Sequence, residues 1–280
     1  MRLLFAITTI LFSLTVLSEN HKYYGNDFYL KLNKGDILKS EISQILASYH
    51  IPNHQEFDSL QKNCQLEQNP NCYRQIHLTY HDARKFLFGL LYLERSPKGQ
   101  NFVEGVYCSK KWTSRDFPKG GGIGPDRIPD PKYMNTEHTW PQSRFSKRYE
   151  KAHQKSDLHI LYPTDSKVNS IRGSFPFAEV ESSSKFVCNG AKIGSIRSEK
   201  QTYFEPPNKH KGNVARAMFY FSTRYNMPIS PTQEKFFRVW NESDPVDESE
   251  RFRNEKIFEI QRVRNPYIDH PELIKMIEDF

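Results

Sequence analysis

The segment from residue 98 to residue 200 constrains the fold more than any other part of the chain. Residues that interrupt regular structure cluster in its first third, at Gly120, Gly121, Gly122, Gly124, Pro125, Pro129 and Pro131. Loops are therefore expected to dominate the segment. Two short stretches within it, Phe102–Cys108 and Lys185–Cys188, have the composition of strands.

Apolar residues recur at helical spacing on both sides of this central segment. The periodic stretches cover residues 37–49, 76–93 and 214–225. A last helix is predicted from about Pro245, where Asp247, Glu248 and Glu250 complement the positive end of a helix dipole. Helical flanks around a centre of loops and short strands predict an α+β fold.

Composition and charge exclude some classes of protein and favour an anionic partner. The chain has 280 residues with 20 Phe and 15 Tyr, which is too aromatic for a disordered protein. Residues 98–200 hold 18 Lys and Arg against 11 Asp and Glu. This excess suits a phosphate backbone, and solvated surface lysines are the alternative. No apolar run of about 18 residues follows the N-terminus, so a membrane partner is not expected. The sequence does not indicate an oligomeric state.

Residues 1–18 have the pattern of a secretory signal peptide. Arg2 precedes an apolar stretch from Leu3 to Leu17, and Val16 and Ser18 are small enough for a signal peptidase. An uncleaved membrane anchor is the alternative, although the stretch is short for a span. We therefore expect a secreted or periplasmic protein whose mature domain covers residues 19–280.

Four cysteines remain in the predicted mature chain. An even number in an exported protein indicates two disulfides, and three pairings are possible. The favoured pairing joins Cys64 to Cys72 as a local link and Cys108 to Cys188 as a long-range one. A zinc site is not expected, since no C-x2-C or C-x4-C spacing is present.

The basic segment contains an adjacent carboxylate and imidazole, Glu137 and His138. They offer a hard oxygen ligand beside a base that titrates near neutral pH. Neighbouring side chains of a strand point to opposite faces, so the two converge only at a strand end, which Pro141 makes plausible. Taken alone, the pair is weak evidence, because Glu-His dipeptides are common and a surface histidine explains it better.

A second group follows 31 positions after His138. Asn169 is predicted to begin a short helix, and its amide oxygen suits Mg²⁺, an ion that keeps most of its waters. Arg172 is three residues further on and would share a helical face with it, offering a two-pronged contact to phosphate. A helix cap and a surface charge are the alternatives for these two residues.

These motifs together resemble the endonuclease I family of secreted and periplasmic bacterial nucleases. The resemblance covers most of the predicted mature chain and is looser over residues 19–75. It departs at Arg262-Val263, where the family usually has Gly-Asn, which affects only a local turn. The matching stretches are EHTWPQS at 137–143, DLH at 157–159, VNSIRGSFPF at 168–177, FEPPNKHKGNVARAMFYFSTRYN at 204–226, DPVDESERFRNEKIFEIQ at 244–261 and RNPYIDHPE at 264–272.

The resemblance implies a ββα-metal core, also called a His-Me finger, in which two strands and a helix hold one divalent ion. His138 is then the general base that activates water, and Glu137 and Asn169 are the ligands of a Mg²⁺ ion. Mn²⁺ or Ca²⁺ would be possible substitutes. Cleavage would leave a 5′-phosphate.

Three further residues receive roles from the same resemblance. Arg172 is expected to contact the phosphate, and Asp157 and His159 of the DLH motif are expected to support the site from behind. The implied activity is a non-specific endonuclease acting on DNA, RNA or both, inhibited by salt. With a reference histidine pKa near 6.5, activity is expected to fall below about pH 6.

Several alternatives bear on this reading. Tyr107, Trp112, Phe117 and Trp140 either stack unpaired bases or belong to the core. His77 and His81 have the spacing of the H-E-x-x-H motif of metalloproteases, but its glutamate is missing, since Leu78 follows His77. Neither an esterase elbow nor a phosphate-binding loop is present. An extracellular ribonuclease with little activity on DNA and a secreted, non-catalytic nucleic-acid-binding protein remain the alternative functions.

Overall fold

A computed structural model describes residues 21–31, 35–53, 55–118, 122–188, 190–197 and 199–280, so the predicted signal peptide lies outside the described residues. The fold is α+β, as predicted. The helices are α1 Asn26–Lys31, α2 Gly35–Ala47, α3 Tyr80–Phe86, α4 Lys151–Lys155, α5 Ser166–Arg172, α6 Asn208–Tyr225, α7 Pro231–Ser243, α8 Glu248–Gln261, α9 Pro266–Asp269 and α10 Leu273–Met276. The strands are β1 Tyr49–Ile51, β2 Ser59–Gln61, β3 Glu94–Arg95, β4 Asn101–Glu104, β5 Lys111–Thr113, β6 Met134–His138, β7 Leu161–Asp165, β8 Ser182–Cys188, β9 Ala191–Ser195 and β10 Tyr203–Glu205.

The strands form small antiparallel sheets rather than one large sheet. Within the described ranges, β1 pairs with β2, and β6 pairs with β7. The other two sheets have the strand orders β3-β4-β5 and β10-β9-β8. The strands range from two residues in β3 to seven in β8.

Helix α6 is the centre of the hydrophobic core. Its side chains are buried on nearly every face, which marks a helix enclosed by other elements rather than an amphipathic surface helix. It packs against α2, α7 and α9. The core cluster joins Leu38 of the N-terminal flank, Trp112 and Leu161 of the central segment and Phe219 of α6. The flanks and the centre therefore bury one shared core.

The strand pair β6-β7 and helix α5 form a compact unit in the central segment. The register runs from Met134 opposite Asp165 to His138 opposite Leu161. Helix α5 follows β7 without a loop, because the Asp165 carboxylate caps it by accepting from the backbone N–H groups of Lys167 and Val168. This direct connection folds α5 back against β6.

The predicted helices agree with the structure except at certain ends. The helix predicted over 37–49 is α2, and that predicted from Pro245 begins at Glu248 behind an Asp247 cap. The helix predicted over 76–93 starts only at Tyr80, capped by Thr79, and continues as a π-helical turn from Leu87 to Leu91. None of the helices in the described part of the chain is long and apolar enough to span a membrane.

Both favoured disulfides are confirmed. Cys64 and Cys72 lie 6.1 Å apart between Cα atoms, and Cys108 and Cys188 lie 5.3 Å apart. The second bond joins the turn after β4 to the end of β8, across 80 positions of sequence. It anchors the chain next to Tyr107, whose backbone carbonyl lies 3.7 Å from the Cys188 sulfur.

Candidate active site

A pocket of about 500 Å³ opens where strand β6 ends. Glu137 and His138 are the last two residues of that strand, and both line the pocket, as does Asn169 of α5. The strand therefore ends where Pro141 predicted. At this end the two neighbouring side chains can both reach the pocket, although within a strand they would point to opposite faces. Asn169 lies within α5, whereas the sequence predicted it at the start of a helix.

Two hydrogen bonds hold the imidazole of His138. Its Nε2 lies 3.0 Å from the backbone carbonyl oxygen of Lys155, and because a carbonyl only accepts, Nε2 carries the hydrogen. Nδ1 is then the acceptor, 3.3 Å from the side-chain amide nitrogen of Gln142. The backbone of α4 thus selects the tautomer in which Nδ1 carries no hydrogen and acts as an acceptor.

Burial lowers the pKa of His138 to about 4, and the positive charges of Lys155 and Arg172 also lower it. The ring is therefore neutral at pH 7, as a general base must be. From the reference histidine pKa near 6.5, the sequence predicted that activity falls below about pH 6. With the lowered pKa, the neutral imidazole persists to more acidic pH.

The carboxylate of Glu137 is buried and paired at one of its two oxygens. Oε1 accepts from the Tyr107 hydroxyl at 2.9 Å and lies 3.2 Å from Nε of Arg172. Burial raises the pKa of Glu137, while Arg172 and the Tyr107 hydrogen bond oppose the rise. No protein group in the described ranges donates to Oε2, which leaves that oxygen for another partner.

The amide of Asn169 is oriented by the neighbouring strand. Its Nδ2 donates to the backbone carbonyl of Thr136 at 3.0 Å, and no described residue donates to Oδ1. One carboxylate oxygen and one amide oxygen are hard donors of the kind Mg²⁺ takes together with several waters. Among the described residues no group of three or more His, Cys, Asp and Glu side chains forms a cage. The donor set therefore fits a partly hydrated ion.

Arg172 also lines the pocket, but its guanidinium is buried and engaged. Nη2 donates to the backbone carbonyl of Thr139 at 2.7 Å, and Nη1 donates to that of Gly173 at 3.0 Å. Together with the ion pair to Glu137, these contacts tie the backbone just after β6 to the end of α5. Arg172 is placed to position Glu137, and a direct phosphate contact stays a prediction.

Asp157 and His159 lie apart from the pocket in a buried network. Oδ2 of Asp157 accepts from the hydroxyls of Tyr220 at 2.9 Å and Tyr225 at 2.7 Å. His159 packs its ring against Tyr220 and has Nε2 3.2 Å from the Val263 carbonyl. The two residues connect the turn before β7 to α6, and their role in supporting the site stays a prediction.

Sequence reasoning missed Lys155, Tyr80 and the role of Tyr107. The Lys155 ammonium lies 4.3 Å from the centre of the Tyr80 ring, and that ring lies 5.6 Å from the His138 ring. Lys155 and Tyr80 both line the pocket. In the described structure no carboxylate pairs with Lys155, so its positive charge remains available. The excess of lysine in the central segment was the only signal for it.

Two of the alternatives from the sequence are settled. Tyr107, Trp112, Phe117 and Trp140 are all buried, so they belong to the core rather than to an exposed stacking surface. His77 precedes α3 and stacks on His153 at 3.6 Å between ring centres, while His81 is exposed on the helix. The two histidines therefore do not share a helical face, and the metalloprotease alternative is wrong.

Comparisons with known proteins identify a family and several similar relatives. A family model described as Endonuclease I matches residues 123–272. An extracellular ribonuclease of Bacillus subtilis (strain 168) is 32% identical over 202 residues, 64% of this chain and 62% of the relative. An endonuclease-1 of Buchnera aphidicola (subsp. Acyrthosiphon pisum, strain APS) is 32% identical over 116 residues, 41% of this chain and 45% of the relative.

An extracellular deoxyribonuclease of Aeromonas hydrophila is 28% identical over 116 residues, 41% of this chain and 49% of the relative. The chain thus spans about three fifths or less of these relatives' lengths. The family match begins before β6, contains the whole pocket unit of β6, β7 and α5, and covers more than half of the chain. On that match, the chain belongs to the endonuclease I family.

Proposed function

We propose that this protein is an exported, metal-dependent endonuclease that hydrolyses phosphodiester bonds of DNA, RNA or both. One observation carries the proposal. A neutral imidazole with its acceptor nitrogen defined, His138, shares a pocket with oxygens of Glu137 and Asn169 that no described protein group occupies. A pure binding module has no use for an oriented base beside two hard oxygen donors.

His138 acts in this proposal as the general base. A water in the place of the Gln142 amide donates to Nδ1, and Nδ1 takes its proton as the water oxygen attacks phosphorus. The Lys155 carbonyl keeps the other ring nitrogen protonated, so the ring neither rotates nor changes tautomer during the transfer. The lowered pKa ensures that the base is unprotonated over the physiological range.

Glu137 and Asn169 are proposed to hold one Mg²⁺ ion, with Mn²⁺ or Ca²⁺ as substitutes. Such an ion would stabilise the negative charge on the phosphate and on the departing 3′ oxygen. Because the 3′ oxygen departs, the phosphate stays on the 5′ side of the product. Tyr107 and Arg172 hold Glu137 in place from its other oxygen. On this basis we propose that β6, β7 and α5 form a ββα-metal core.

The substrate is proposed to bind through its phosphate backbone. Lys155 places a positive charge at the pocket, and the central segment has an excess of basic residues. Contacts to phosphate carry no sequence information, so cleavage is expected to have low sequence specificity and strong salt dependence. The named relatives include both a ribonuclease and a deoxyribonuclease, which supports a nuclease without deciding between the two substrates.

Export is proposed on three grounds. Residues 1–18 have the pattern of a signal peptide. Relatives are named extracellular or periplasmic, among them the ribonuclease of Bacillus subtilis and a periplasmic deoxyribonuclease of Aeromonas hydrophila. Two disulfides are also typical of an oxidising compartment.

The test is a digestion of supercoiled plasmid and structured RNA in parallel, with Mg²⁺ or with EDTA. His138→Ala is expected to lower the rate by about 10²- to 10⁴-fold, the usual contribution of a general base. His81→Ala, which changes an exposed histidine, is the matched control and should retain full activity. Folded wild-type protein that cleaves neither substrate with any divalent ion would refute the nuclease and leave the binding-protein alternative.

A further inference from the structure

A second cavity, of about 460 Å³, lies directly beside the candidate active site. Pro141 and Arg172 line both spaces, so these two side chains form the wall between them. The protein backbone also passes directly from the active-site pocket to the second cavity. Ser174 lines the active-site pocket, and the next residue, Phe175, lines the second cavity. The two cavities are therefore neighbours, and a ligand that extends from the first can enter the second.

Aromatic and apolar side chains form much of the inner surface of this cavity, and the polar side chains of Glu199, Thr232 and Gln233 that also line it are engaged in hydrogen bonds. Trp140, Phe177 and Tyr203 contribute buried aromatic surface, and Met218 adds a buried thioether. The hydroxyl of Tyr203 is held by the Glu199 carboxylate. The side-chain oxygen of Gln233 accepts from the backbone N–H of Phe177 at 2.9 Å, which holds that part of the wall.

The entrance of the cavity differs from its floor. Phe175 is 37% exposed there, an unusual position for a large aromatic ring. Gln201 and Arg144 are exposed on the same rim, and no carboxylate in the described ranges forms an ion pair with Arg144. The rim therefore combines a flat apolar ring, an amide that both donates and accepts, and an unneutralised cation.

These properties match a nucleobase joined to a phosphate backbone. A base has flat π faces for an aromatic ring, polar edges for an amide and an adjacent phosphate for a cation. A base within a duplex keeps its faces stacked on its neighbours and does not enter such a cavity. An unpaired base enters without the cost of a few kcal/mol for leaving the stack.

We propose that this cavity binds the unpaired nucleobase next to the scissile phosphodiester, with Phe175 as its stacking surface. The inference rests on the proposed nuclease function and adds a preference for single-stranded substrate. The nucleobase is common to RNA and single-stranded DNA, and the experiment below separates these two sources.

The test uses short single-stranded oligonucleotides, as RNA and as DNA, in which one abasic residue is moved along the strand. The wild-type protein with Mg²⁺ is expected to cleave the bond beside the abasic residue about tenfold more slowly than the same bond in the intact strand, since stacking on one aromatic ring contributes about that factor. Equal factors for RNA and DNA indicate a base subsite that ignores the sugar. Slower cleavage beside the abasic residue in only one of the two nucleic acids identifies that one as the source of the bound base.

Phe175→Ala is expected to slow cleavage of intact single strands by a similar factor of about ten and to have no further effect beside an abasic residue. Phe252→Ala removes a ring that is 52% exposed on α8 and lines neither cavity, so it should match the wild type. The wild-type abasic comparison remains decisive even if a variant folds poorly. Wild-type cleavage that is indifferent to abasic residues, together with full activity of Phe175→Ala, overturns the subsite but leaves the nuclease intact. Absence of any cleavage by folded wild type refutes the proposed function instead.

Discussion

The backbone carbonyl oxygen of Lys155 lies 3.0 Å from Nε2 of His138, and the side chain of the same lysine lines the same pocket. One residue at the end of α4 therefore makes two separate contributions. Its backbone orients the candidate base, and its ammonium supplies positive charge for an anionic substrate. Because the backbone contact does not depend on the side chain, substitution can separate the two.

Replacing Lys155 by Met should weaken substrate binding and leave the chemical step almost unchanged. We expect KM to rise about five- to tenfold and the slope of log KM against log salt concentration to decrease by about 1, the effect of losing one phosphate contact. The measurement is kcat and KM for plasmid DNA and RNA across a salt series. Lys151→Met, at an exposed position one turn earlier in α4, is the control. A large loss of kcat at unchanged KM would place Lys155 in the chemical step instead.

Replacing Asn169 by Ala should weaken the response of the protein to Mg²⁺. The variant loses Oδ1 as a proposed ligand and the Nδ2 bond to Thr136. We expect activity to fall by at least the 10- to 100-fold that loss of a supporting group costs a metal site. Melting temperature as a function of Mg²⁺ concentration gives a readout independent of activity, because an ion that binds the folded state raises it.

Ser170→Ala changes the adjacent exposed residue of α5 and is the control for this experiment. It should keep the wild-type Mg²⁺ response. If Asn169→Ala shows the same Mg²⁺-dependent rise in melting temperature as the wild type, Asn169 is not a ligand.

Replacing His210 by Gln should reduce the loss of stability in acid. Burial lowers the pKa of His210 to about 3, and its Nε2 has no hydrogen-bond partner among the described residues. The unfolded chain takes up a proton near pH 6.5 and the folded chain does not, so the free energy of unfolding is fully maintained above pH 6.5 and falls as the pH is lowered toward 3. This histidine contributes a loss of about 2–3 kcal/mol between pH 6.5 and 4.5.

Urea unfolding at a series of pH values measures this slope for the wild type, His210→Gln and His81→Gln. His81 is exposed, so its variant should follow the wild type. His50 and His159 are also buried with lowered pKa values, so part of the slope should remain in His210→Gln. An unchanged slope would mean that His210 is not held neutral by burial.

Replacing Arg262 by Gly should stabilise the protein. Arg262 ends α8 with a φ of 55°, in the left-handed region where a side chain costs about 1–2 kcal/mol. This is the position at which the sequence departs from the Gly-Asn of its family. After subtraction of the greater freedom of glycine in the unfolded chain, a net gain of about 0.5–1 kcal/mol is expected.

Asn226→Gly is the matched control, since Asn226 ends α6 in the same conformation with a φ of 48°. Asparagine tolerates this region better than arginine, so the gain there should be smaller. Denaturant unfolding gives both values. A larger gain at Asn226 than at Arg262 would contradict the explanation from backbone strain.

Local features of the sequence determined much of this protein. Helical spacing predicted α2 and the second half of α6, and the acidic cluster near Pro245 located the start of α8. Pro141 predicted that the strand ends near His138, and the even cysteine count with its spacing led to the correct pairing. These features succeed because each depends on residues close together in sequence or on a covalent bond.

Tertiary structure alone decided the environment of the candidate site. Tyr107 reaches Glu137 from 30 positions away, and the Lys155 carbonyl reaches His138 from 17 positions away. The burial of Arg172 and the lowered pKa of His138 arise in the same way, since desolvation depends on which distant segments pack around a group. Motifs therefore predicted the residues of the candidate site, whereas their charge state, orientation and accessibility were set by packing that no local pattern encodes.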